Sequence, residues 1–146
     1  MSTAPTHIYQ AYIRAGADQV WQALVDGDMT VQYFYGTRVR SDWDTGAKII
    51  YDNPDGSIAA DGEVVAIDAP NRLEMTFHAR WDPEIEAEGP VREVWLVEET
   101  NGVTSLTVEL HDIAAESKTA VDFMSGFPYI FSGLKTLVET GTPLTG

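Results

Sequence analysis

The spacing of apolar residues changes period along the chain, and each change marks a different kind of element. Over residues 117–141, SKTAVDFMSGFPYIFSGLKTLVETG, Phe123, Phe127, Phe131, Leu134 and Val138 recur at intervals of four, four, three and four, flanked by Met124, Ile130 and Leu137. This is the wide stripe of a helix with one buried side. Gly141 suits a left-handed cap and Pro143 cannot continue the helix, so its end is marked. Pro128 lacks the N–H that would bond the carbonyl of Met124, and Gly126 weakens the helix beside it. The pair predicts either a kink or a restart.

Upstream, residues 7–14, HIYQAYIR, read as a first strand with apolar side chains on both parities, so its facing is open. Ala15 and Gly16 turn the chain, and Asp18 stands at the start of a helix carrying Val20, Trp21, Leu24 and Val25. Asp26, Gly27 and Asp28 interrupt it before a second short helix over residues 29–34. From Thr37 the period shortens to that of strands, with turns at Gly36, residues 44–46, 52–56 and 69–71, and a bulge expected at Asp61 and Gly62. Residues 73–81 alternate most cleanly: Leu73, Met75, Phe77, Ala79 and Trp81 on one face, Glu74, Thr76, His78 and Arg80 on the other. Residues 91–98 and 103–111 form a hairpin around Asn101-Gly102. Strands joined by such short turns must pair antiparallel, and one apolar helix at the end must cover a face of the sheet. The expected fold is α+β: a curved antiparallel sheet of about seven strands gripping a long C-terminal helix, with two short helices after the first strand.

Composition narrows the function. The 146 residues and 44% hydrophobic content suit a single domain spanning residues 1–146. Cysteine is absent, which removes disulfides, thiolate metal sites and thiol nucleophiles. No apolar run approaches the length of a membrane span, and the first residues, MSTAPTH, lack the basic and apolar regions of a secretory signal, so a soluble cytoplasmic protein is expected. With 23 acidic against 9 basic residues the formal net charge is −14, which repels nucleic acid and anionic membranes alike.

The order of elements, together with YIRAGADQVWQAL near the start and SGFPYIFSGLKTLVETG at the end, resembles the helix-grip superfamily that includes Bet v 1 and the START lipid-transfer domains. Within it the chain is most similar to the branch named after the C-terminal domain of the activator of Hsp90 ATPase. Val20-Trp21 with Ala23-Leu24 fits the first helix of that branch, and Leu134-Lys135 with Leu137, Glu139, Thr140 and Gly141 fits its helix end. Gly126-Phe127 stands where the branch usually has Gly-Trp. The resemblance implies a seven-stranded sheet around the helix and a hydrophobic cavity between them that holds a small apolar or amphipathic ligand. It does not fix a function, because carriers, cyclases, hydrolases and co-chaperones share the scaffold. The eukaryotic Hsp90 activator carries an additional N-terminal domain for which this chain has no room, so an Hsp90-type chaperone is not the expected partner. A homodimer stays open.

The candidate chemistry is sparse. His7, His78 and His111 sit on separate strands without metal-ligand spacing and read as surface residues, and no nucleophile, phosphate-loop or dinucleotide pattern appears. No cofactor or metal is expected. The acidic run from Asp82 to Pro90 reads as a solvated, mobile loop at a cavity entrance. Glu93 shares its parity with Val91, Trp95 and Val97. The resemblance implies that Trp95 and Val97 face the helix, which turns Glu93 inward; the opposite parity would bury Val94 and Leu96 instead. An inward carboxylate must pair, accept hydrogen bonds or hold a proton. Candidate ligand-binding residues are Phe34, Trp43, Tyr51, Phe77, Trp81, Glu93, Trp95, Phe123, Phe127 and Phe131; the alternative for each ring is plain core packing. The leading expectation is a binding protein for a small hydrophobic or aromatic molecule. An enzyme of the cyclase or hydrolase kind using Glu93, and an interaction module of the co-chaperone kind, are the alternatives.

Overall fold

A computed structural model describes residues 6–114 and 116–144. Strand β1 (His7–Ile13) leads into helices α1 (Ala17–Val25) and α2 (Gly27–Tyr33). Strands β2 (Arg38–Ser41), β3 (Lys48–Asp52), β4 (Ile58–Asp68) and β5 (Arg72–Ala79) follow. Then come helix α3 (Pro83–Glu88), strands β6 (Val91–Thr100) and β7 (Val103–His111), and helix α4 (Lys118–Thr140). The sheet has seven strands in the order β1-β7-β6-β5-β4-β3-β2, antiparallel at every pairing. The two first helices carry the chain from one edge of the sheet to the other, and six strands then return it by consecutive pairings until β7 meets β1. This is the helix-grip arrangement.

The expected alternation sets the facing. On β5, Leu73, Met75, Phe77 and Ala79 are buried while Glu74, Thr76 and His78 are only partly so. Strand β1, ambiguous in sequence, turns Tyr9, Ala11 and Ile13 inward and leaves Ile8, Gln10 and Tyr12 exposed. Tyr9 stacks on Phe127 of α4 with ring centroids 5.5 Å apart, a contact that fixes this parity. Helix α4 presents Phe123, Phe127, Ile130, Phe131, Leu134 and Leu137 to the sheet, each buried. At roughly 1.5–3 kcal/mol per fully buried large side chain, this stripe is a principal source of stability.

Helix α4 runs without interruption through Pro128, so the restart does not occur. Pro128 lies on the exposed side of the helix, where water can replace the missing amide. Ser117 caps the start by accepting from the Ala120 amide, and Gly141 closes the end at φ 77°, its N–H bonding the Leu137 carbonyl at 2.8 Å. Gly133 lets α2 approach: a Cβ there would stand 3.1 Å from the Cβ of Tyr33.

Three expectations need correction. The bulge falls between Val64 and Ala66, not at Gly62. Gly62 instead permits close approach of β4 to β5, since a Cβ at that position would lie 1.8 Å from the Thr76 carbonyl oxygen. The acidic run is not a solvated loop. Its centre folds as α3, with Asp82 accepting from the amides of Glu84 and Ile85, Pro83 in the first turn and Ile85 buried. Its charges are engaged: Glu86 with Arg80 at 2.9 Å, Asp82 with Lys118 at 2.9 Å, and Glu88 with the Lys118 and Thr119 amides at 3.0 and 2.8 Å. The third correction concerns the histidines. His111 is buried, its Nε2 3.1 Å from Glu109, because Arg92 stands opposite it in register and Thr6 crosses the strand end to bond Leu110 and Ile113. His78 is half-buried with Nε2 2.8 Å from the Glu86 carbonyl, and His7 has an enclosed Nε2 with no partner among the described residues. Among the described residues, no helix is long and apolar enough to cross a membrane.

Candidate functional site

The aromatic residues of the inner face separate into two groups. In the first, rings from five elements meet around an open space. Phe34 follows α2, Tyr51 comes from β3, Phe77 from β5, Trp81 from the segment after β5, and Phe123 and Phe127 from α4. Phe34 stacks on Tyr51 at 5.0 Å between centroids, Tyr51 meets Phe77 edge-on at 5.4 Å, and Phe77 meets Phe123 at 5.9 Å. Trp81 adjoins both Phe77 and Phe123, at 6.0 and 6.2 Å. The pocket these rings bound has a volume of about 370 Å³ and is completed by Tyr35, Thr37, Asn53, Ala59, Ala60, Asp122, Ser125, Gly126 and Ile130. Alanines at positions 59 and 60 leave the space that larger strand residues would fill. Gly126 does the same on α4, where a Cβ would still stand 3.6 Å from the Tyr35 hydroxyl.

The mouth of the pocket is polar on one side. Trp81, 46% exposed, donates its indole N–H to Asp122 at 3.2 Å, and Tyr35, 57% exposed, reaches the Gly126 carbonyl at 3.4 Å. Both contacts join a rim segment to α4 across the opening. Tyr35 also packs on Tyr129, with centroids 5.3 Å apart. Its hydroxyl is held above its ordinary titration range by burial first, then by Tyr129 and by the charge of Asp122.

The second group lies behind the first, in the packed core. Trp95 stacks on Phe131 at 5.8 Å and leans on Phe127 at 6.0 Å, so Phe127 is the partition between pocket and core. Glu93 sits here, turned inward as Trp95 and Val97 are, and is 1% exposed. Its Oε1 accepts from the Trp95 indole at 3.0 Å, while Oε2 has no partner among the described residues. Burial pushes its pKa up to about 7, against the indole bond, which favours the charged form. Tyr51 ties the two groups together electrically: burial, then Glu93, then Tyr33 all raise its hydroxyl. The hydroxyl of Tyr33 itself donates to the Ala23 carbonyl at 2.6 Å.

Of the ten residues selected from sequence, Phe34, Tyr51, Phe77, Trp81, Phe123 and Phe127 therefore line the pocket, and Trp43, Glu93, Trp95 and Phe131 do not. Trp43 is in the turn between β2 and β3, at the end of those strands opposite to Thr37 and Asn53. It is half-buried at φ 56°, its amide bonded to the Ser41 hydroxyl at 3.0 Å. The mouth residues Asp122 and Ser125 escaped the sequence reading because they flank the apolar stripe of α4. The available signal was Gly126, a missing side chain beside that stripe. Among the described residues no three histidine, aspartate or glutamate side chains gather in a way that could hold a metal ion.

The surroundings of this site are those of a known architecture. CalU16 from Micromonospora echinospora superposes with a TM-score of 0.73 at 18% identity, over 94% of this chain and 76% of that one. An Hsp90 activator from Plasmodium falciparum, PFC0360w, superposes with a TM-score of 0.74 at 15% identity, over 96% and 99%. The Aha1 dimer from Colwellia psychrerythraea gives 0.73 at 13% identity, over 92% and 96%. At these identities the likeness is one of fold. No curated protein sequence matches the chain. The family profile described as activator of Hsp90 ATPase homolog 1-like protein matches residues 14–139, from the turn after β1 through nearly all of α4, and the chain belongs to that family.

Proposed function

We propose that this protein binds a small hydrophobic or aromatic molecule in the pocket between the sheet and α4. The observation that carries the reading is the ring-lined space of about 370 Å³. It lies toward the lower end of the roughly 300–1,000 Å³ of small-molecule sites and has their character, mostly apolar with a few placed polar groups. Tyr51 is the orienting group. Its hydroxyl has no hydrogen-bond partner among the described residues, so a ligand donor or acceptor can use it. Glu93, outside the pocket wall, adds to the effect of burial on that hydroxyl and does not touch the guest. Calorimetry with a panel of neutral aromatic compounds tests the reading on the intact chain. Saturable binding is expected, and Ser125→Trp, which places a large ring at the mouth from an exposed position, should weaken it about ten-fold or more by blocking entry. Absence of binding across the panel would end the proposal.

Family membership and the names of two structural relatives favour a second reading, an interaction module of the Hsp90-activator kind, alone or as a homodimer. It predicts capture of a chaperone partner that weakens steeply with salt, because exposed charges on so acidic a protein steer association. Sedimentation analysis decides the oligomeric state. An acid or base role for Glu93 meets its first requirement, a buried carboxyl with a pKa near neutrality, yet the pocket wall does not include it. That role would need a rearrangement of the pocket wall that exposes Glu93.

A further inference from the structure

The pocket carries charge of one sign only in its lining. Among the described residues its lining includes no lysine or arginine and one carboxylate, Asp122, at the mouth. The cations on adjoining segments are engaged elsewhere. Arg80, next to Trp81, bonds Asp61 at 3.0 Å and Glu86 at 2.9 Å, and Lys118, one turn before Asp122 on α4, bonds Asp82 at 2.9 Å and lies 3.6 Å from Glu84. Asp122 accepts the Trp81 indole through Oδ2, which leaves Oδ1 without a partner among the described residues. Flanking it are the exposed rings of Trp81 and Tyr35, whose faces attract cations. A carboxylate-bearing guest such as a fatty acid would find no counter-ion here and would face Asp122.

We infer that the pocket selects by charge, taking arylalkylamines and other cationic aromatic molecules with the ring inside and the ammonium at Asp122 between Trp81 and Tyr35, and rejecting aromatic carboxylates of the same size. This rests on the ligand-binding reading above and adds the ligand's charge to it. The selection is local, because at physiological salt exposed charges beyond about 8 Å are largely screened.

Three probes of one ring and nearly one size separate the possibilities: 1-naphthylmethylamine, 1-naphthylmethanol and 1-naphthoate, each titrated calorimetrically into the full chain near neutral pH and physiological salt. The amine should bind most tightly, the alcohol less and the carboxylate least, with about ten-fold between the first and last, the combined size of a cation–π contact and a partly exposed ion pair. Asp122→Asn, at a half-exposed position, should narrow the gap between amine and alcohol to what the cation–π contact alone supplies, with circular dichroism verifying the fold. Equal affinity for amine and carboxylate, with the alcohol still bound, would overturn the charge selection and leave the pocket reading intact. An amine preference undiminished by Asp122→Asn would also overturn it, since the carboxylate at the mouth would then play no part in the selection. If none of the three binds, the pocket reading falls and this inference with it.

Discussion

Two carboxylates in this protein each accept a hydrogen bond from a tryptophan indole, and their surroundings are opposite. At the mouth, Asp122 and Trp81 meet at 3.2 Å with the indole half in water; in the core, Glu93 and Trp95 meet at 3.0 Å with both residues sealed. The bond itself is nearly the same in length. What differs is the alternative open to each carboxylate when the bond breaks. Asp122 turns to water, whereas Glu93 has no second partner among the described residues and its environment favours the neutral acid. A hydrogen bond's contribution to stability is therefore set mainly by the solvent each group would otherwise have.

The harshest way to break this comparison is Trp95→Ala, which removes a core ring stacked on Phe131 and strips Glu93 of its donor. It should cost about 3–5 kcal/mol by urea denaturation, whereas Trp81→Ala should cost about 1 kcal/mol or less. Comparable losses at both sites would mean that burial does not separate them.

The next largest effect is a pH dependence. A glutamate of ordinary pKa 4.5 is raised to about 7 in the folded protein, so the native state holds that proton more tightly than the unfolded chain. The stability this confers is fully present below about pH 4.5 and is lost as pH rises through 7, a total of about 3 kcal/mol by linkage. Glu93→Gln has no such titration. The stability difference between the two proteins should shift toward the variant by about that amount between pH 4.5 and 8. Reading the difference cancels the shared contribution of carboxylates such as Asp82 and Glu88, whose pKa values are lowered and which act in the opposite direction. A difference that stays flat would show that Glu93 is not buried as described.

Gentler substitutions sharpen the contrast. Trp95→Phe keeps a ring but removes the N–H, and should cost about 1–3 kcal/mol near neutral pH while moving the Glu93 titration upward. Trp81→Phe should change stability by less than about 1 kcal/mol and leave that titration in place. An upward shift from the mouth variant would mean that the two pairs communicate through Phe127.

Much of this architecture was legible in the residues because it rests on periodicity. The alternation from Leu73 to Ala79, the Asn101-Gly102 hairpin and the Phe123-Phe127-Phe131 stripe each state which side is inward, and the structure agrees. The inward turn of Glu93 came from the family resemblance, which faces Trp95 and Val97 to the helix; alternation alone left the opposite parity, with Val94 and Leu96 inward, equally open. The pocket was only half legible. Periodicity says that a ring faces inward and not whether another side chain already fills the space before it, so Trp95 and Phe131 could not be told from Phe77 and Phe123. Trp43 was misplaced for a different reason: position along a strand depends on which turn lies at which end of the sheet, a long-range property. Helix α3 did have a local signal, Asp82-Pro83 ahead of Ile85, obscured by the density of negative charge around it.

Glu88 carries one more implication. Its carboxylate accepts both the Lys118 and Thr119 amides, so the six residues of α3 are clamped to the leading end of α4. Any lifting of that end to admit a guest must carry α3 with it or break the clamp. Deuterium uptake at the amides of Ile85 and Thr119 should then rise and fall in step, giving a readout of how the leading end of α4 moves from a place where no guest ever sits.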